Sequence, residues 1–311
     1  MNYTECAEFL KKKDRYLILT HKNPDGDTAG SAGALCSALR RMGKTAFLYP
    51  NPGFGEKLRK YIDRFIAPAG YAPECVIAAD IAEKSLFPKG FEGEADICID
   101  HHPSNTFYAG ATLLEAEKAA CGEAIWKLIK TLGLELTQEE ATLLYIAVST
   151  DTGCFQYNNT KAETFAAASE LLKAGADSAE VNLAFFRKVS PGRMKLEGMI
   201  YSDMLFFREG EVSVVVVTRD MLERCGVRDE ELDDLASLAG RAEKAKVCIT
   251  VREKEDGTSR VSVRTGRDIS ANEICAVFDG GGHAAAAGCT IKAAPKKAVE
   301  MLMAVVNEVL K

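Results

Sequence analysis

The chain has 311 residues, 47% of them apolar and 27% charged, with 39 basic against 45 acidic side chains for a formal net charge of −6. That balance suits a folded protein of about two domains; it excludes disordered, collagen-like and disulfide-scaffold classes and argues against coating long nucleic acid, which takes an excess of cations. No run approaches the ~20 apolar residues of a membrane span, the lysines at 11–13 precede no apolar leader, and ten cysteines scattered without a C-x-x-C pair read as reduced thiols, so a cytoplasmic location is expected.

The first half alternates strands and helices. Tyr16 to Thr20 is a β-prone run ending at His21, and Thr28 to Met42 has helical spacing stopped by Gly43. A strand at Thr45 to Tyr49 and a helix at Glu56 to Ile66 follow. Cys75 to Ala79 ends in Asp80, and Ile97 to Ile99 ends in Asp100. Strands joined by helices of this length imply a parallel sheet buried on both faces. Helices are expected at Cys121 to Leu132, Thr137 to Ser149 (Thr137 and Glu140 forming a capping box), Lys161 to Ala174 and Asp177 to Lys188. Ser190-Pro191-Gly192 is the strongest breaker in the middle of the chain. Beyond it come a β-branched strand at Val212 to Val217, an acidic helix at Asp229 to Ala239, and two strands, Lys246 to Arg252 and Arg260 to Arg264, joined by a turn at Glu255-Asp256-Gly257. A helix at Ser270 to Phe278, the run Gly280-Gly281-Gly282-His283 and a last helix at about 295–310 complete the chain.

Only four histidines occur, His21, His101, His102 and His283, and the first three follow strand ends, where open α/β sheets place their ligands. The loop His21-Lys22-Asn23-Pro24-Asp25-Gly26-Asp27 carries two carboxylates, so unlike a glycine-rich phosphate loop it would repel a phosphate. A hard cation between loop and substrate resolves the repulsion, and an imidazole with carboxylates suits Mn²⁺ foremost. The competing account, Asp residues capping the next helix, stands at even weight. Asp100-His101-His102 forms a second cluster, in which one histidine is placed to bind metal and its neighbour to face substrate. Asp80 alone is an ordinary turn former. Asp151 sits at a helix C-terminus, where the helix dipole disfavours an acid unless a cation is near.

Taken in order, the His21–Asp27 loop, Asp80, Asp100-His101-His102 and Asp151-Thr152-Gly153 resemble the four motifs of the DHH phosphoesterase superfamily. The Gly280-Gly281-Gly282-His283 run resembles the signature of the DHH-associated domain, and length and motif order are most similar to the oligoribonuclease (nanoRNase) and pAp-phosphatase branch. Two departures are Asp279, where that branch commonly has another glycine, and Thr265 after Arg264, where serine is more usual. The resemblance implies an α/β protein with an N-terminal parallel-sheet DHH domain over 1–187, a linker over 188–205, and a smaller α+β DHH-associated domain over 206–311, with the active site in the interdomain cleft. It implies two divalent ions, Mn²⁺ with Mg²⁺ or Co²⁺ as alternatives. One is held by His21, Asp25 and Asp80 and the other by Asp27, Asp80, His101 and Asp151, with Asp80 bridging and catalytic. His102 would contact the scissile phosphate or protonate the leaving alcohol, while Arg264, Gly280, Gly281, Gly282 and His283 would hold the nucleotide. Arg252, Arg260 and Arg267 are weighed toward solvent. Asn51 to Gly55 reads as a plain loop, Trp126 as core and Cys154 as no nucleophile.

The expected activity is Mn-dependent hydrolysis of short single-stranded oligoribonucleotides to mononucleotides, with removal of the 3′-phosphate of pAp beside it. Partners are thus short RNA or DNA strands, pAp or dinucleotides, with no membrane and no long duplex; a homodimer is left open. The alternatives are a phosphodiesterase for cyclic or linear signalling dinucleotides and a nucleotide-binding sensor with a dead centre, against which the complete donor set speaks. A pyrophosphatase and a processive single-strand DNA exonuclease rank lower.

Overall fold

Five short apolar strands build one parallel sheet. β1 (Tyr16–Leu19), β2 (Ala46–Leu48), β3 (Cys75–Ala79), β4 (Ile97–Asp100) and β5 (Ala111–Leu114) lie in the order β2-β1-β3-β4-β5, and every adjacent pair is parallel. β1 and β4 are buried at each position, as strands covered on both faces must be. The computed structural model describes residues 1–232, 235–266 and 268–310. They divide into two units, Met1–Lys188 and Val189–Lys311.

In the first unit the helices are α1 (Tyr3–Lys12), α2 (Gly26–Arg41), α3 (Glu56–Ile62), α4 (Cys121–Thr131), α5 (Gln138–Asp151), α6 (Ala162–Lys173) and α7 (Ser178–Asn182). α5 starts at the expected capping box of Thr137 and Glu140. α2 is central, buried from Gly26 through Leu39. It lies backbone to backbone on α5: a Cβ at Gly30 would stand 2.2 Å from the Leu143 carbonyl oxygen, and one at Gly26 would stand 2.3 Å from Thr150 Oγ1. Two elements carry weak sequence signals. α1 starts from a capping box of Asn2 and Glu5 ahead of a lysine run, and β5 is an edge strand with three of its four residues only partly buried. The helix expected over 177–188 is instead α7 followed by a wider π-helical turn over Leu183–Arg187.

The second unit consists of α8 (Pro191–Ser202), β6 (Leu205–Phe207), β7 (Val212–Val217), α9 (Arg219–Cys225), α10 (Leu235–Ala239), β8 (Val247–Glu253), β9 (Ser259–Thr265), α11 (Ala271–Ala276), β10 (Gly281–His283), β11 (Ala286–Ile291) and α12 (Pro295–Val309). Its sheet has the order β10-β11-β9-β8-β7-β6. One face packs on α11 and α12 through Ile274, Leu302 and Val306; the other packs on α8, α9 and α10 through Leu196, Leu222 and Leu238. The segment expected as a linker over 188–205 therefore contains a core helix. Ser190 caps α8 by accepting the Arg193 N–H at 3.0 Å and Pro191 opens its first turn. The apparent breaker is thus a helix start, where proline costs no hydrogen bond. The acidic helix expected over 229–239 is a single turn at Asp229–Glu231 and then α10; Asp233 and Asp234 lie outside the described residues, as does Arg267.

Candidate metal centre

The carboxyl ends of β1, β3 and β4 and the two ends of the α2–α5 pair converge on one place. His21 follows β1. Asp25 caps α2 by accepting the Thr28 N–H at 3.1 Å, and Asp27 sits in the helix's first turn. The Thr28 hydroxyl donates to the Ala79 carbonyl at 3.0 Å, tying the start of α2 to the end of β3. The next residue, Asp80, has φ +60°. That left-handed backbone is uncommon outside glycine and characteristic of functional sites. Its N–H donates to the Ile99 carbonyl at 2.9 Å.

Donor atoms of three groups come within 4.8 Å of one another: His21, Asp25 and Asp80; Asp27, His101 and Asp151; and Asp80, His101 and His102. Asp80 joins them. Its Oδ2 is 3.8 Å from His21 Nε2 while Oδ1 is 3.5 Å from His101 Nε2. His101 Nε2 also stands 3.7 Å from Asp27 Oδ2 and 3.6 Å from Asp151 Oδ2, and His21 Nε2 is 3.6 Å from Asp25 Oδ1. All six residues expected as metal donors are thus brought together. For Asp25 the capping and clustering accounts hold at once.

The cluster has the chemistry of a cation cage. Asp80 is 3% exposed and its Oδ1 has no hydrogen-bond donor, a costly state for a buried carboxylate unless a positive charge compensates. Burial, then the charges of Asp27, Asp25 and Asp151, push the Asp80 carboxyl well above its usual range. Burial lifts Asp27 to about 7, with Asp151 and Asp25 adding to it against the pull of His101. Burial and Asp25 lift Asp151 to about 7 as well. Four crowded carboxylates with two imidazoles fit divalent ions of the Mn²⁺ type. Asp27 is also fixed from outside the cluster. It accepts the Ser31 hydroxyl at 2.9 Å and the N–H groups of Cys121 and Gly122, at the start of α4, at 2.6 and 2.9 Å.

His102 differs from His101. Its Nδ1 lies 2.8 Å from Asp100 Oδ1, which leaves Nε2 uncommitted. Burial alone would lower the imidazole pKa, but the hydrogen bond and charge of Asp100 raise it. Asp100 is fully buried and takes a further hydrogen bond from Asn105 Nδ2 at 2.6 Å. The sequence marks Asp100 as part of the second cluster without giving it a role, and it does not mark Asn105. The first acid of the Asp-His-His triplet is the available signal for one; the other lies in a loop whose path no local pattern reveals. Asn51 likewise exceeds the plain-loop expectation: it is buried, and its Nδ2 donates to Thr20 Oγ1 and the His21 carbonyl at 3.0 and 2.9 Å.

In the second unit, strand pairing sets His283 beside Ala286 and Ala286 beside Arg264, so Arg264 and His283 share a sheet face, and both are exposed. The glycines have separate duties. A Cβ at Gly280 would stand 2.4 Å from Cys289 Cβ, and one at Gly282 would stand 2.5 Å from the Ala286 carbonyl oxygen. Those two positions serve the packing of β10 on β11, whereas Gly281 faces open space apart from Asn272 Oδ1 at 3.9 Å. All ten cysteines are free thiols, and among the described residues no helix is long and apolar enough to cross a membrane.

Residues 15–148 match the DHH family, N-terminal domain, and residues 211–311 match the DHHA1 domain. The chain is similar to the bifunctional oligoribonuclease and PAP phosphatase NrnA of Thermus thermophilus, with 34% identity over 291 residues, covering 92% of this chain and 87% of that one. In structure it is similar to an exopolyphosphatase-related protein from Bacteroides fragilis, with a TM-score of 0.89 at 21% identity over 98% of this chain and 96% of that one. It is similar also to an exonuclease RecJ bound to manganese, with a TM-score of 0.54 at 15% identity over 98% of this chain and 93% of that one. These two likenesses are of fold.

Proposed function

Because the chain belongs to the DHH family of metal-dependent phosphoesterases, with a DHHA1 domain following the DHH domain, it is a hydrolase of phosphodiester bonds, and we propose that it degrades short single-stranded oligoribonucleotides to mononucleotides and removes the 3′-phosphate of pAp. The relative's name supports the substrate class. The observation that carries the reading is Asp80, whose two oxygens face His21 on one side and His101 on the other at 3.8 and 3.5 Å.

We assign His21, Asp25 and Asp80 to one cation and Asp27, Asp80, His101 and Asp151 to a second, with Mn²⁺ as the preferred ion. Two divalent ions held by these residues would supply Lewis acidity to the phosphate oxygens and to the attacking water. The chain's own residues do the rest. Asp25 and Asp27 keep their places because α2 holds them at its first turn, with Asp27 further fixed by Ser31, Cys121 and Gly122. His102, held through Nδ1 by Asp100, presents Nε2 to the scissile phosphate and passes its proton to the departing ribose oxygen. Arg264 grips a phosphate of the same strand with its planar fork, and His283 lies beside it. Gly281, without a side chain, lets a nucleotide approach the backbone.

The test is a product time course with Mn²⁺ on end-labelled oligoribonucleotides of two to ten residues and on pAp. Release of mononucleotides from the short substrates, with little action on a duplex, is expected. No turnover by metal-loaded protein would overturn the reading, and faster cleavage of a cyclic dinucleotide than of any linear one would replace it with the signalling alternative.

A further inference from the structure

The sheet of the second unit is covered unevenly. Residues directly opposite across paired strands share a face, and Cys248, Arg264, Ala286 and His283 form one such row. At the β7–β8 end this face is packed under α8, α9 and α10, where Cys248 joins Val215 and Val217 in a core. Over β9, β11 and β10 it emerges to solvent: Arg260, Arg264, Thr290 and His283 are exposed and Ser262 is half-buried. Between these side chains the floor is low, since Ala286, Gly288 and Gly281 carry at most a methyl group. Among the described positions of β9, β10 and β11 that share this face none is acidic, in a chain of net charge −6.

Arg260 stands four positions from Arg264 on β9, opposite Thr290, hence ~14 Å away at ~3.4 Å per residue. That is farther than neighbouring phosphates of one strand lie from each other. Among the described residues the Arg260 side chain makes no hydrogen bond or ion pair, while the Arg264 side chain spends one N–H on the Val263 carbonyl at 3.2 Å. We propose that Arg260 is a second phosphate anchor, set beyond Arg264 on the open half of the sheet, and that it favours oligonucleotides of several residues over dinucleotides. This rests on the functional reading above and extends it to substrate length. A strand laid along the face meets Arg264 with one phosphate and Arg260 with a later one, and the low floor between them accepts the intervening sugar and base. A dinucleotide held at Arg264 is too short to reach it.

The test compares wild type, Arg260→Ala and Arg260→Lys on a dinucleotide and a pentanucleotide with Mn²⁺. In Arg260→Ala the ratio of kcat/KM on the pentanucleotide to that on the dinucleotide falls about tenfold, through KM rather than kcat, and Arg260→Lys restores part of it. The slope of log affinity against log salt for the pentanucleotide shrinks by about one phosphate contact. An unchanged ratio, or equal loss on both substrates, overturns the proposal. Affinity for a fluorescent pentanucleotide is also measured by anisotropy in chelator, which separates this proposal from the functional reading. Should wild type bind but not cleave, the functional reading fails, and unchanged affinity in Arg260→Ala would still sink the second anchor.

Discussion

His102 Nδ1 and Asp100 Oδ1 are 2.8 Å apart, and this contact sets the two histidines of the Asp-His-His triplet apart. His101 turns Nε2 toward Asp27, Asp80 and Asp151, whereas His102 has one nitrogen committed to a buried acid and, in the function proposed above, the other serving the scissile phosphate. An acid so placed fixes both the ring's orientation and its tautomer. Asp100→Asn is therefore expected to lower kcat about a hundredfold or more while leaving bound metal unchanged. Asn105→Ala, which removes the 2.6 Å hydrogen bond to Asp100, acts in the same direction by about tenfold, a positioning effect. Steady-state kinetics with metal analysis of the same samples checks both; loss of metal in Asp100→Asn would contradict the division.

Asp80 sets two effects against each other. Replacing it with Asn removes the negative charge and turns one of the two oxygens that face His21 and His101 into an amide nitrogen that cannot ligate, so activity is expected to fall by at least about a thousandfold and bound metal to drop. The same change deletes a buried carboxylate crowded by four others, so the metal-free protein should become more stable, not less. Thermal unfolding in chelator reads the second effect and turnover the first. A metal-free variant that melts below wild type would show that Asp80 is a structural acid.

The pH dependence of the metal-free protein follows from the same crowding. The carboxyl of Asp27 is raised from an ordinary 3.8 to about 7, so between those values the native state binds more protons than the unfolded chain. Stability is then fully present below pH ~4, declines as pH rises, and levels off above the native value, with a slope of at most ~1.4 kcal/mol per pH unit for one group. Asp151 is raised too, but its side chain is 32% exposed and water screens its share. Saturating Mn²⁺ should abolish the decline, because metal binding demands the deprotonated forms. Denaturant melts from pH 4 to 8 with and without Mn²⁺ measure this, and metal-free stability that rises over the interval would refute it.

His21, Asp80 and His101 were legible in the sequence because each follows an apolar run that can only be a buried strand, and such strands end on one edge of a parallel sheet. Asp151 was legible through an anomaly, an acid at a helix C-terminus. What escaped depends on where loops travel. Asn105 reaches Asp100 only because residues 101–110 pass back toward the start of β5, and Asn51 reaches the His21 carbonyl from another loop. α8 escaped for a different reason: Ser190-Pro191-Gly192 has the composition of a break and the geometry of a cap. The glycine run was legible as a site for close approach, yet at Gly280 and Gly282 the neighbour is strand β11.

The cage also depends on how closely α2 and α5 approach, and that is set by glycine. In a helix interior Ala is preferred over Gly by up to ~1 kcal/mol, so propensity alone favours Gly30→Ala. At this position a Cβ would stand 2.2 Å from the Leu143 carbonyl oxygen and 3.0 Å from the Ala147 nitrogen. Neither is the end of a flexible side chain, so the helices must part, at a cost of ~1–3 kcal/mol for overpacking. Sterics outweigh propensity and the melting temperature should fall. Because Asp27 rides on α2 three residues before Gly30 and Asp151 on α5 four residues after Ala147, parting the helices also spreads their donor atoms, and Mn²⁺ affinity should drop about tenfold. Gly198→Ala in α8 is the control, since a Cβ there meets nothing within 4 Å; it should raise the melting temperature slightly and leave Mn²⁺ affinity alone. Calorimetric melts and Mn²⁺ titrations of both variants decide the matter: if Gly30→Ala matches Gly198→Ala in both, close helix contact does not hold the cage.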